Sequence, residues 1–363
     1  LIYNNNKSIQ YRNTINLIYN KKKEDLDYNG IFGSDFVKNN KDKIILIING
    51  KKSELVEKYE LKKGENNIQI ITHNQITNLK GMFHNAKSLE NIEELKYLNV
   101  ERVNNFSNMF SFCSSLSDIK ALENWNVSKG NDFSYMFFRC RSLSDIKALE
   151  NWNVSNGKNF SHMFYNCSLS DIKALEKWNV YNGNNFSDMF RHCSKLSDIK
   201  ALENWNVSNG NNFSYMFHDC KSLSDIKPLQ NWNVSNGKNF SKMFYMFRGC
   251  KSLSDIKPLE NWNVSNGNDF SFMFYGCSSL SNIRPLENWN VSNGKCFSFM
   301  FCGCESLSDI KPLLNWNVSN GNNFKAMFWG CSTSLDIKPL QHWRYFSDLL
   351  LEPPELFEMI QII

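Results

Sequence analysis

Between Met82 and Trp343 one pattern of apolar and polar positions recurs ten times. Its marker is a Met-Phe pair at Met82, Met109, Met136, Met163, Met189, Met216, Met243, Met273, Met300 and Met327. The interval is 27 residues, except for one of 26 near Cys167 and one of 30 at Met243–Phe247, where the pair is duplicated as MFYMF. In a representative unit, Leu253–Ser279, the apolar residues are Leu253, Ile256, Leu259, Trp262, Val264, Phe270, Met273, Phe274 and Cys277. The last four follow i, i+3, i+4, i+7, which predicts one stripe of a short helix. The run Ser265–Asp269 before it supplies turn residues, with Asp269 or its Asn equivalents as helix caps. Earlier in the unit, Asp255, Ile256 and Lys257 alternate polar, apolar, polar, as in a short strand. Pro258 lacks an N–H and should end it.

Neither element can bury its apolar face alone, so the units must stack. The expected fold is an α/β repeat solenoid, leucine-rich-repeat-like, with a short strand and a short helix per coil of about 27 residues. Three residues inserted into an α-helix rotate it by about 300°. The coil at Met243–Phe247 should therefore bulge or lengthen its helix. Three segments follow: a small β-rich N-terminal cap at 1–75, a ten-unit solenoid at 76–343, and an irregular C-terminal cap or tail at 344–363. The cap offers extended segments at Thr14–Tyr19, Ile44–Ile48, Ser53–Leu61 and Ile68–Thr72, with Asn49-Gly50 as a hairpin turn. In the tail, Leu349, Leu350, Leu351, Phe357, Ile360 and Ile362 could form a helix-like lid over the last coil, interrupted by Pro353-Pro354.

The consensus CxSLSDIKPLENWNVSNGxNFSxMFxxC resembles the BspA-like leucine-rich-repeat proteins of bacteria and protists. The resemblance covers residues 76–343. The apolar spacing of Leu253, Ile256 and Leu259 departs from the family's strand by one residue, which implies a bulge at Lys257–Pro258. The N-terminal block around IFGSDFVKNNKDKIILIINGKKSEL is similar to that of protist members. The resemblance implies surface attachment and protein binding.

Composition narrows the function. The net charge of +5 is concentrated in residues 1–75, and the repeats are close to neutral. A nucleic-acid binder would carry a concentrated basic stripe, and none is present. No apolar run approaches the ~18 residues of a membrane helix.

Nine cysteines recur in register, each closing an apolar stripe, and read as free buried thiols. The tryptophans at 125, 152, 178, 205, 232, 262, 289, 316 and 343 read as a core ladder, which leaves Trp329 as the exposed aromatic. The asparagines flanking each Trp read as structural, bonding coil to coil or satisfying loop backbone. Asn-Val-Ser and Asn-Phe-Ser segments, for example at Asn126, Asn153, Asn206, Asn212 and Asn263, match the glycosylation sequon. Glycans on inward residues would block stacking, which favours a cytosolic setting or an intracellular assembly over the cell surface.

Asp and Lys flank the strand Ile in most units and should form two outward ladders. The candidate partner contacts are Lys257, Arg284, Lys311 and Lys338 on that face, with Trp329 and Phe247 where the repeat falters. The six histidines form no repeated constellation with a nucleophile or a carboxylate pair. No cofactor, metal or catalytic residue is expected. The expected function is a non-enzymatic protein-interaction or scaffolding solenoid. The alternatives are a surface adhesin or a structural part of a larger assembly. Partners would be proteins of unknown identity, without nucleic acid and without a membrane span.

Overall fold

The computed structural model describes residues 13–21, 30–235 and 245–352. The N-terminal part is an antiparallel sheet of five strands: β1 (Thr14–Lys21), β2 (Ile44–Ile48), β3 (Lys51–Glu54), β4 (Gly64–Thr72) and β5 (Leu89–Asn91), in the order β3-β2-β4-β1-β5. Alternation along β1 buries Ile15, Leu17 and Tyr19. Asn49 (φ 49°) and Gly50 (φ 81°) turn β2 into β3, the left-handed pair that a two-residue hairpin needs. The expected strand at Ser53–Leu61 extends only through Glu54. A helix, α1 (Ser34–Asn40), stands where no element was expected. β5 belongs to the first repeat, so the sheet and the stack share a strand.

The 27-residue repeat is built of turns. Among the described residues the coils contain no α-helix, which corrects the expected helix. Asp-Ile-Lys is not a strand either. It leads into a 3-10 turn over Lys-Ala-Leu or Lys-Pro-Leu, as at Lys147–Leu149 and Lys257–Leu259. Two local causes favour the turn. The Asp side chain accepts the N–H of the Lys two residues on, as Asp255 does from Lys257 at 2.8 Å. This internal bond competes with sheet pairing. The following Pro holds the φ that a helical turn uses and lacks only an N–H that would go unpaired there.

The Met-Phe segment shows why no helix forms. Phe133, Tyr135, Phe137 and Arg139 donate their N–H groups to Asn159, Ser161, Met163 and Tyr165 of the next coil at 2.8–3.0 Å. The alternate residues Met136, Phe138 and Cys140 donate locally, three residues back. The segment is a run of overlapping turns. Tyr135 (φ 58°) and Arg139 (φ 59°) hold it in shape from the left-handed region. An isolated two-turn helix is marginal in water, whereas this arrangement pairs every N–H from Phe133 to Cys140. It also turns the same four side chains inward, so the i, i+3, i+4, i+7 stripe survives without the helix.

Stacking makes each coil position a ladder. Phe110 and Phe137 are parallel at 5.6 Å, as are Phe133 and Phe160. Trp152 is buried and donates Nε1 to the carbonyl of Leu122 in the preceding coil at 2.9 Å. Cys140 donates its thiol to the carbonyl of Phe110 at 3.1 Å. All eleven cysteines are free. The asparagine after each Trp forms a local turn, Asn153 accepting from the N–H of Ser155. The coil-to-coil asparagine is the one before Gly, as in Asn156 to Ser128 at 2.7 Å.

At the duplicated pair, the ring of Phe247 stacks 5.9 Å from both Phe217 and Phe274. Met246-Phe247 is therefore the in-register pair of that coil, not Met243-Phe244. The extra residues fall between Trp232 and Met246, and residues 236–244 lie outside the described part. Phe247 is fully buried and cannot be a partner contact.

Each end of the stack meets groups that complete the bonding. At the N-terminal end Asn40 Nδ2 reaches the carbonyl of Asn78 at 3.0 Å and Gly33 N–H the carbonyl of Met82 at 3.2 Å. A side chain at Gly33 would press on Gly81. At the other end Asp348 and Leu349 accept from Ala326 and Phe328. Leu349 is buried, whereas Leu350 and Leu351 are exposed, and Phe357, Ile360 and Ile362 lie outside the described residues.

Two measurements test this packing. A Cβ at Gly157 would lie 2.3 Å from Phe160 Cζ. Gly157→Ala should therefore destabilise by about 1–3 kcal/mol in urea denaturation, the scale of overpacking; an unchanged midpoint would contradict the Phe-on-glycine contact. Burial raises the Cys113, Cys193 and Cys331 thiols to about 12. A thiol reagent at neutral pH should thus label the folded protein first at Cys296, the half-buried cysteine outside the in-register ladder, and reach all eleven only after unfolding. Rapid labelling of all eleven in the folded state would refute the stack.

Candidate interaction face

The run of turns divides its side chains strictly. Phe, Met, Phe and Cys point into the core. Three positions per coil point outward: the residue before Met, the one after Phe, and the one before Cys. Stacked, they make three columns, and unlike the core their identities change from coil to coil. The first column runs through Tyr135, His162, Asp188, Tyr215, Tyr245, Phe272 and Phe299. The second carries Phe138, Tyr165, Arg191, His218, Arg248, Tyr275, Cys302 and Trp329. The third carries Arg139, Asn166, His192 and Asp219, then Gly249, Gly276, Gly303 and Gly330. The change to glycine suits the backbone, because this position is left-handed in every coil from Asn85 (φ 62°) to Gly330 (φ 69°).

The columns pack on one another. Tyr135 stacks on His162 at 4.2 Å, Tyr215 on Tyr245 at 4.5 Å, and Tyr245 on Phe272 at 4.3 Å. Phe272, Phe299, Cys302 and Ala326 form a second, smaller apolar cluster outside the main core. Three arginines lie over these rings: Arg139 over Phe138 and Tyr165, Arg191 over Tyr215 at 4.7 Å, and Arg248 over Tyr275 at 4.7 Å. Such cation–ring contacts hold the guanidinium in place.

Two carboxylates are embedded among them. Asp188 pairs with Arg191 at 3.1 Å and His162 at 3.3 Å. Asp219 pairs with His192 at 3.1 Å and His218 at 3.5 Å. Burial raises the Asp188 carboxyl, opposed by Arg191. Burial also acts against the Asp219 carboxylate, but the His192 hydrogen bond, with Arg248 nearby, outweighs it and holds it below the usual range. His162 is lowered to about 4, by burial and then by the charge of Arg191. His218 is lowered to about 2, mainly by burial. Both imidazoles are neutral at physiological pH. Among the described residues no group of three or more His, Cys, Asp or Glu is placed to hold a metal ion, and no helix is long and apolar enough to cross a membrane.

Of the residues singled out from sequence, Trp329 ends the second column and is 39% exposed. Lys257, Arg284, Lys311 and Lys338 lie on a different face, all exposed. There, open grooves separate successive coils, one of about 540 Å³ between the turns of Asp145–Glu150 and Asp171–Lys177. The Asp of that ladder is committed to its own turn, and Asn282 makes the same bond to Arg284 N at 3.0 Å. The sequon asparagines Asn126, Asn153, Asn206, Asn263, Asn290 and Asn317 are exposed. Glycans on these Asn-Val-Ser residues would not enter the core, which corrects the stacking argument for them; Asn212 of the Asn-Phe-Ser set is half-buried and accepts from Ser214 N–H.

The His-Asp-Arg cluster escaped the sequence reading because its members are dispersed over 57 residues, from His162 to Asp219. The signal was present in the variable positions of x-Met-Phe-x-x-Cys, read down the repeats rather than along the chain.

The geometry defines a tandem-repeat protein with an invariant core and a variable outward face. The chain belongs to the family described as Mycoplasma protein of unknown function, DUF285, whose model matches residues 53–173, 161–253 and 242–347. No curated protein matches it.

The buried histidine makes a pH prediction. The folded pKa of His218 lies below that of the unfolded chain, so the unfolded state binds more protons and stability falls as pH drops below about 6.5. Above that pH its contribution is complete. His218→Gln should flatten the loss of stability between pH 6.5 and 5 by up to about 2 kcal/mol, read from urea midpoints at each pH. An identical slope in the variant would show that His218 is not held neutral.

Proposed function

We propose that this chain is a non-enzymatic tandem-repeat scaffold that binds a protein partner through the three outward columns of its Met-Phe segments. One observation carries the reading: among the described residues the Met-Phe segments keep the same run of turns over a nearly constant core, while the outward columns change chemistry coil by coil. Residues kept for stacking cannot distinguish partners, whereas these can. A repeat surface that pairs an aromatic strip with fixed arginines has the composition of protein interfaces. The BspA-like resemblance supports a repeat of the leucine-rich type that binds proteins, although its coils use 3-10 turns where that type has strands.

The Lys257, Arg284, Lys311, Lys338 ladder is the competing location. Crosslinking mass spectrometry of the captured complex separates them. Crosslinks and loss of capture should follow Tyr275→Ala and Trp329→Ala, and a Lys257→Ala, Lys311→Ala variant should capture normally. The reverse result would move the site to the ladder.

The exposed sequons favour a second reading, a glycosylated surface adhesin. Mass spectrometry of protein from its native source would decide it. Hexosamine on Asn153 or Asn263 supports the adhesin, and unoccupied sequons throughout would remove it.

A further inference from the structure

We propose that the outward columns bind an acidic, extended polypeptide segment running along the stack, with its carboxylates taken by Arg139, Arg191 and Arg248. This deepens the proposed function and rests on it. The three arginines belong to alternate coils, two repeats apart. Neighbouring rings are separated by 4.3–4.6 Å in the first outward column and by 5.2–5.9 Å in the core ladders, so coils two apart, like those that carry the arginines, are about 9–12 Å apart. In a polyproline-II conformation three residues make one turn and rise about 9 Å, so an acidic side chain at every third position returns to the same face and would meet the arginine-bearing coils in turn.

Charge favours the same occupant. Among the described residues neither Arg139 nor Arg248 has a carboxylate within ion-pair distance, and Arg139 and Arg191 both lie against the Tyr165 ring. The ion pair with Asp188 engages only Nη1 of Arg191. Arg139 Nε and Arg191 Nε are buried without an acceptor. Asp188 is buried and already paired, and Asp219 is held by two histidines, so the anions of the face are already engaged. A guanidinium fork fitted to a carboxylate supplies what the site lacks.

Two other occupants fit less well. Nucleic-acid bases and sugars need open ring faces, but the first column stacks its rings on each other from Tyr215 to Phe299 at 4.3–4.6 Å. The ring edges, not their faces, are presented.

The test uses the full chain and a fluorescein-labelled peptide of about ten residues with Glu at every third position, read by fluorescence anisotropy. Its Gln analogue and a single-stranded oligouridylate serve as competitors. The Glu peptide should bind, weaken with added salt, and lose about tenfold in affinity in an R139Q/R248Q variant. A second variant, R139K/R248K, keeps the charge but not the fork and should bind at an intermediate level. Its near-ultraviolet circular dichroism guards against misfolding. A K257Q/K311Q variant should bind as the parent does.

Equal binding of the Gln analogue, preference for the oligouridylate, or an equal loss in K257Q/K311Q would overturn the proposal. If crosslinking places a partner on these columns but the Glu peptide does not bind, only the acidic-segment inference fails. If nothing crosslinks there, the underlying function fails with it.

Discussion

The comb of alternating backbone hydrogen bonds between coils is the constraint on which the rest depends. Every second N–H of the Met-Phe segment is given to the next coil, and the others close local turns. This needs a left-handed residue at two places in each unit. For a side chain other than glycine that costs roughly 1–2 kcal/mol, about what one net hydrogen bond returns. The balance is carried by burial: Phe, Met, Trp and Cys ladders continue through the stack, each position touching its copies above and below. A single unit has nothing to offset its strained turns, so the repeat is stable only in company. The same reasoning explains the attention given to the ends, where Gly33 and Asn40 on one side and Asp348 and Leu349 on the other stand in for a missing coil.

The comb also sorts the side chains. Because the turns overlap with a fixed alternation, the positions facing the core cannot change without disturbing two neighbouring coils. The outward positions touch one another rather than the core ladders and vary from coil to coil. Function is thereby confined to three columns, and chemistry that is far apart along the chain meets there. His162, Asp188 and Arg191 come from adjacent coils, as do His192, His218 and Asp219. The arginines over aromatic rings and the paired carboxylates give the face a directional electrostatic character that the near-neutral repeat composition conceals.

The face bearing Lys257, Arg284, Lys311 and Lys338 differs in kind. Its acidic partners are spent on closing 3-10 turns, and the same Asp-x-Lys recurs with little change. The result is a uniform surface. Uniformity suits solubility and stacking more directly than it suits the choice of a partner.

By itself the sequence determined the period, the inward set and the ladders, since Met82 through Met327 and the nine in-register cysteines can bury themselves only by stacking in register. It also determined the Asn49-Gly50 turn, whose geometry is local. It misled on the elements. The stripe Phe270, Met273, Phe274, Cys277 has helical spacing, but overlapping turns produce the same facing, and the choice between them depends on N–H acceptors supplied by another coil. Asp255-Ile256-Lys257 looks like a strand until the Asp side chain is seen closing the turn. The register of the duplicated pair, with Met246 and Phe247 inside, was decided by stacking on Phe217 and Phe274. The histidine–aspartate–arginine face was likewise decided only in three dimensions, because its residues are neighbours across coils, and a sequence displays adjacency along the chain alone.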